Sequence, residues 1–140
     1  MIEPRRIAKA ALFNEKNELL ILTRSGTDEI RPGEYDFPGG GVDPGESIGD
    51  AMIRELAEEI GITLTPGALS LMYAATDYYD NRSRVRFLYV GRIPASSVIV
   101  LSHEHSVDEW MPFSKVMDVY NHPVWVGGLE YLIENKQLEL

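Results

Sequence analysis

The chain has 140 residues, of which 44% are hydrophobic and 25% charged, an ordinary globular mix that excludes a disordered, collagen-like or coiled-coil chain. Its 13 Lys and Arg against 22 Asp and Glu leave a net charge of -9, which disfavours general binding to nucleic-acid duplexes or anionic membranes. There is no cysteine, so disulfides, thiolate nucleophiles and Cys-based zinc sites are excluded as well.

Residues 7–13 read as a first strand, Asn14-Glu15-Lys16-Asn17 supply turn chemistry, and the apolar run 18–23 reads as a second strand, so the pair is predicted to be a hairpin. Residues 25–34 are polar and carry Gly26, Pro32 and Gly33, which predicts a loop. Residues 35–37 are a short strand leading into Pro38-Gly39-Gly40-Gly41, a stretch too permissive for regular structure. A helix is predicted over 47–60. Ser47 is its N-cap, Ile48, Met52, Leu56 and Ile60 form its buried row, and Gly61 is its stop. Residues 68–79 and 85–93 read as strands joined by a turn at 80–83. Residues 98–101 are another short strand, 102–109 a polar loop, and 110–113 a return to the sheet. Ser114 begins a short helix, and 125–136 form a last helix weakened by Gly127-Gly128. Strands on both sides of one central helix, with a helix at the end, predict an α/β fold in which helices cover both faces of a mixed sheet. No linker or repeat divides the sequence, so 1–140 is expected to be one domain, and with no signal-like or membrane-length apolar run it is expected in the cytoplasm.

The central helix carries the chemistry. Glu55, Glu58 and Glu59 stand at i, i+3 and i+4, so their carboxylates share one face. Like charges so placed cost a bare helix about 0.2–0.5 kcal/mol per pair. They also crowd the helix C-terminal end, where the dipole disfavours negative charge, and Arg54 is the nearby cation. A hard divalent cation among them would resolve the repulsion, and oxygen ligands suit Mg²⁺ or Mn²⁺. Taken alone, the same glutamates also fit a solvated acidic face.

The residues before the helix separate those readings. Gly40 is followed by five residues and Glu46, then by seven residues and Arg54-Glu55-Leu56-Ala57-Glu58-Glu59-Ile60-Gly61-Ile62. This pattern, Gly40 to Ile62, resembles the Nudix box of the Nudix hydrolase superfamily at every required position. Tyr35-Asp36-Phe37-Pro38-Gly39 resembles the strand that leads into the box. The resemblance implies an α/β/α sandwich and a Mg²⁺-dependent enzyme, with Mn²⁺ as a substitute. The reaction implied is hydrolysis of a pyrophosphate bond in a nucleoside diphosphate linked to another group. Carried over residue by residue, it implies Glu58 and Glu59 as main metal ligands, Glu55 completing the cluster, and the Gly39 carbonyl as a ligand from the loop. Gly40, Glu46 and Arg54 are implied to support the site, with Arg54 tying Glu46 or a ligand glutamate to the loop. Family members also take an acidic group six residues before a strand-opening tryptophan, and here Glu104 precedes Trp110 by six. Glu104 is thereby a further ligand or the general base, with Glu109 as second choice. His103 and His105 flank Glu104 as base candidates or plain loop histidines.

Substrate signals are thinner. Arg82, Arg84 and Arg86 alternate, so on a strand they share one face, either as an anion patch or as an exposed charged surface. Tyr78 and Tyr79 either stack on a base or pack against neighbours. In branches that cleave dinucleoside polyphosphates a tyrosine falls where Tyr78 and Tyr79 fall. The ADP-ribose branch tends to place a proline there, and Thr76-Asp77 offer none. Tyr78, Arg84 and Arg86 are therefore candidate substrate contacts, and the expected substrate is a nucleoside triphosphate or dinucleoside polyphosphate handled by a monomer or homodimer. The alternative is a catalytically inactive Nudix-fold module that binds nucleotides or regulates. Such modules usually lose box glutamates, and this chain keeps all of them.

Overall fold

The first two apolar stretches of the chain are buried on both sides because they run through the middle of a seven-stranded mixed sheet. The computed structural model describes residues 3–27, 31–120 and 122–135. Its elements are β1 (Arg5–Phe13), β2 (Glu18–Arg24), β3 (Tyr35–Asp36), β4 (Gly39–Gly41), α1 (Ile48–Ile60), β5 (Leu69–Tyr79), β6 (Arg82–Arg92), β7 (His105–Pro112), α2 (Phe113–Val119) and α3 (Pro123–Glu134). β6 runs parallel to β1, and the other pairings are antiparallel.

The predicted hairpin of β1 and β2 is real at its turn, where Phe13 registers with Leu19. Beyond that point the strands part and the segment 35–41 enters between them. β3 pairs with β2 through Asp36 and Leu22, while β4 pairs with β1 through Gly39 and Lys9, Gly40 and Ala8, and Gly41 and Ile7. The Ala10 N–H donates to the Pro38 carbonyl at 2.9 Å, which closes the gap. The triple glycine is therefore a strand, not the irregular stretch its composition suggests. Gly39 makes this pairing feasible: its φ is 136°, and a Cβ there would collide with the Ala8 carbonyl oxygen.

Period-two alternation sorts the two cores. Ala8, Ala10, Leu12, Leu20 and Leu22 face Met52, Leu56 and Ile60 of α1. Ala11, Phe13, Leu19 and Ile21 face Phe113 and Val116 of α2 and Trp125, Leu129 and Leu132 of α3. The result is the expected α/β/α sandwich. α1 begins as predicted, with Ser47 Oγ accepting from the Asp50 N–H at 3.1 Å, and stops at Gly61 in the left-handed region at φ 70°. Trp125 belongs to the core, whereas Tyr131 stays partly exposed beside Tyr73.

Three local expectations are corrected. Residues 98–101 form no strand, because their amides turn to the end of α1: Val100 N–H donates to the Ile60 carbonyl at 2.9 Å. Residues 105–109, expected in a polar loop, open β7, where β2 supplies the pairing partner. β6 begins at Arg82, not Val85, because Asp80 and Asn81 at φ 51° and 59° complete the turn between them. No helix among the described residues is long and apolar enough to cross a membrane.

Candidate active site

The second half of α1 and the inserted strand β4 meet through Arg54. Its guanidinium grips Glu46 twice, Nε to Oε2 at 2.7 Å and Nη2 to Oε1 at 2.9 Å, and donates to the Gly41 carbonyl at 3.1 Å. It also reaches Glu55 at 3.0 Å and Glu58 at 3.2 Å. The planar fork suits this sharing, since one arginine can bind two directions at once. The paired fork, with the Asp43 N–H, holds the Glu46 carboxyl down to about 2. Arg54 thus fastens the loop to the helix, and Glu46 is its anchor.

Glu55 lies over the backbone of Gly40, where any Cβ would fall 2.7 Å from its carboxylate. Its carboxyl is raised by burial, with the Arg54 hydrogen bond opposing. Glu59 is buried, 4% exposed, and accepts the Gly39 N–H at 2.9 Å. Burial pushes its carboxyl up to about 8, against the pull of Lys9 and the Gly39 N–H. Glu58 differs. Its side chain is 58% exposed and leans on Arg54, away from the cleft.

The link 98–104 crosses the C-terminal end of α1 and delivers the remaining donors. Ser102 N–H donates to the Glu59 carbonyl at 3.1 Å, and the Glu104 carbonyl accepts from the Ser25 N–H at 2.8 Å. This brings Glu104 and His105 to Glu59, with one ligand atom of each lying within 4.8 Å of the others. His105 Nε2 sits 3.2 Å from Asp36 Oδ2. Burial alone would raise the Asp36 carboxyl, but Lys9 and His105 hold it well below the usual carboxylate range. An ionised carboxylate only accepts, so the Nε2 facing Asp36 carries a proton. The buried Nδ1 of His105 has no hydrogen-bond partner. Two carboxylates and an imidazole with an orphaned nitrogen fit a divalent cation.

Glu59 and Glu104 line a cleft of about 600 Å³, whereas His105 is buried and does not line it. The cleft walls carry Arg5, Lys9, Arg24, Arg31, Arg84 and Arg86, which is six of the chain's 13 basic residues. The far wall comes from β5, β6 and α3. Arg86 is buried, pairs with Asp77 at 3.0 Å and lies 5.6 Å from the Trp125 ring. Arg84 stands 4.9 Å over the Tyr79 ring. His122 faces Asp77 at 3.9 Å, and burial, with Arg86 and Arg31 repelling a proton, holds its imidazole down to about 4.

Of the predicted residues, Gly39, Gly40, Glu55, Glu59, Glu104, Tyr78, Arg84 and Arg86 all line this cleft. Arg82 turns instead to the Glu3 carbonyl. Glu109 registers with Ile21 within the sheet, and neither it nor His103 lines the cleft. The Gly39 carbonyl, expected to face a metal, accepts from Lys9 Nζ at 2.9 Å. Sequence reasoning passed over Lys9, Asp36, Asp77 and His122. The signal was available for the first two: a lysine inside an apolar strand and an aspartate between Tyr35 and Phe37 each need a buried partner.

A mixed sheet between helices, with a glycine-hosted carboxylate cluster opening on a cleft that also carries arginines, is an arrangement suited to a metal-assisted enzyme acting on phosphates. The family model described as NUDIX domain matches residues 3–130. A CTP pyrophosphohydrolase of Escherichia coli (strain K12) is 31% identical over 106 residues, 76% of this chain and 76% of that protein. An RNA pyrophosphohydrolase of Campylobacter jejuni is 48% identical over 134 residues, 84% of this chain and 82% of that protein. The crystal structure of a MutT protein from Methanosarcina mazei Go1 superposes with a TM-score of 0.81 at 27% identity, covering 97% of this chain and 99% of that one. The chain belongs to the Nudix family and is a Nudix hydrolase of the pyrophosphohydrolase kind.

Proposed function

We propose that the protein hydrolyses a pyrophosphate bond in a small nucleoside diphosphate derivative, with Mg²⁺, or Mn²⁺ in its place, at the Glu59 end of the cleft. The observation that carries this reading is one cavity lined both by the carboxylates Glu55, Glu59 and Glu104 and by arginines, Arg84 and Arg86 among them. Glu59 and Glu104 would hold the ion, joined by Glu55 beside them. Glu58 stays with Arg54 and steadies the cluster from outside. A divalent ion held there would neutralise pyrophosphate oxygens and make a bound water more acidic.

The chain's own residues do the rest. Arg84 and its neighbours on the wall bind phosphate oxygens beyond the cleaved bond, which fixes the polyphosphate along the cleft. Tyr78, exposed at the cleft rim, offers a face for a base. Glu104, exposed in the cleft beside Glu59, is the group to accept a proton from the attacking water. A nucleoside triphosphate or a dinucleoside polyphosphate supplies the phosphates that Arg84 and its neighbours would bind. The names of the relatives, which specify CTP and RNA, agree with a pyrophosphate group as the shared element.

The test is a phosphate-release screen with Mg²⁺ and Mn²⁺, a phosphatase being coupled where the product is a monoester. It covers nucleoside triphosphates including CTP, dinucleoside polyphosphates, a 5′-triphosphorylated oligonucleotide, ADP-ribose and nucleotide sugars. EDTA-sensitive turnover of a triphosphate or dinucleoside polyphosphate, above that of ADP-ribose, is expected. Turnover that survives EDTA would refute the metal reading.

A further inference from the structure

Lys9 stands in the middle of β1 between the fully buried Ala8 and Ala10, and its own side chain is only 9% exposed. An ammonium taken this far from water must be compensated. Its Nζ donates to Asp36 Oδ2 at 3.0 Å and to the Gly39 carbonyl at 2.9 Å. The N–H of the same Gly39 donates to Glu59 at 2.9 Å, so ammonium and carboxylate are held by the two polar groups of one residue. Asp36 is already served by Arg24 at 3.1 Å and by His105 at 3.2 Å. Lys9 therefore shares Asp36 with other donors, and its remaining contact, the Gly39 carbonyl, belongs to the residue whose N–H holds Glu59.

We propose that Lys9 is a resident monocation of the metal site, occupying the Gly39 carbonyl and the inner side of Glu59 so that a divalent ion is confined to the outer carboxylate oxygens and is bound only moderately. Lys9 is a positioning residue on this view, acting through Glu59 and Gly39. The inference rests on the metal reading above. Its consequence has a sign. Removing the charge takes away a repulsion on the divalent ion, frees the Gly39 carbonyl and leaves Asp36 less neutralised, and all three changes favour the ion. A unit charge acting on a divalent ion a few ångströms away is worth about tenfold in affinity even with water-like screening. A lysine that merely props β1 against β3 and β4 gives the opposite sign, because its loss loosens the site and weakens the ion.

The experiment is a Mn²⁺ titration of the nucleotide-free protein, followed by electron paramagnetic resonance of the free ion and by calorimetry. It compares the parent with Lys9→Met, Lys9→Gln, Lys9→Arg and Glu59→Gln. About tenfold tighter Mn²⁺ binding is expected for Lys9→Met and Lys9→Gln, with Lys9→Arg close to the parent. Lys9→Gln retains a donor for the Gly39 carbonyl and carries the test if Lys9→Met does not fold. Unchanged or weaker binding in the neutral variants overturns the inference while leaving the metal reading intact. If Glu59→Gln binds Mn²⁺ as the parent does, the metal reading fails, and the role of Lys9 falls with it.

Discussion

Glu59 meets two opposed demands. Burial and the neighbouring Asp36 and Glu55 disfavour its charge, while Lys9 and the Gly39 N–H favour it. A carboxylate kept in such balance gains most when a cation arrives beside it, which is what a metal ligand requires. Glu59→Gln is therefore expected to lower kcat by several orders of magnitude. The fold should remain, with a Tm equal to or above the parent's, because the amide oxygen can still accept from Gly39 and a crowded charge is gone. Steady-state kinetics and a thermal melt read both halves; near-normal turnover would remove Glu59 from the ligand set. Glu104→Gln separates its roles by the same assay read together with Mn²⁺ binding. A loss comparable to that of Glu59→Gln with Mn²⁺ binding kept assigns Glu104 as the base, the same loss with Mn²⁺ binding weakened assigns it as a ligand, and a much smaller one leaves it as support.

At the scale of elements, the site depends on a strand insertion. The chain leaves β2, returns as β3 and β4 into the opening between β1 and β2, and so lays Gly39 and Gly40 against β1 on one side and α1 on the other. Gly39 is the tight point. A Cβ there meets the Ala8 carbonyl and comes within 2.8 Å of Lys9 Cα, both backbone. Gly39→Ala is expected to cost about 2 kcal/mol or more, as strained backbone and forced overpacking do. Gly41→Ala is the control, since the nearest atom to its Cβ is the flexible end of Arg5 at 3.7 Å, and it should stay within about 0.5 kcal/mol. Denaturant midpoints check the pair, and equal losses would contradict the packing argument. Helix α1 was fully legible in the sequence because its start, buried row and stop are all local signals. The insertion was not, because pairing between 7–9 and 39–41 is a long-range contact, and three glycines carry no periodicity.

For the whole molecule, the net charge of -9 conceals its arrangement. Six basic and six acidic residues line a single cleft, so the acidic excess of the molecule is absent there and a polyanion meets a charge-balanced surface. The same surface makes stability depend on pH. Burial, with Arg86 and Arg31, holds His122 down to about 4, below the ordinary value of 6.5, while Asp77 and Asp36 pull the other way. The folded state therefore refuses a proton that the unfolded chain accepts. The contribution of His122 is complete above pH 6.5 and is lost as pH falls from 6.5 toward 4. Glu59, raised to about 8, gives the opposite slope above pH 4.5, so the test is a difference: the parent should lose Tm relative to His122→Gln as pH falls from 6.5 toward 4, and parallel profiles would place the titration elsewhere.

The spacing of the glutamates and the glycine-to-glutamate register determined the family and the helix that carries its box, since both depend on residues close together in the chain. Short apolar runs between turn residues likewise marked most strands, β1 and β2 among them. Glu104 was legible from its spacing to Trp110, and tertiary structure added how the carboxylates stand relative to Arg54 and to one another. Glu58 stays with Arg54, and Glu104 and His105 take the place beside Glu59 because the amides of 100 and 102 cap the end of α1. It also decided that Lys9 and Asp36 belong to the site. Their meaning comes from a buried ion pair between residues 27 positions apart, and a charge in a strand shows its purpose only when the strand beside it is known.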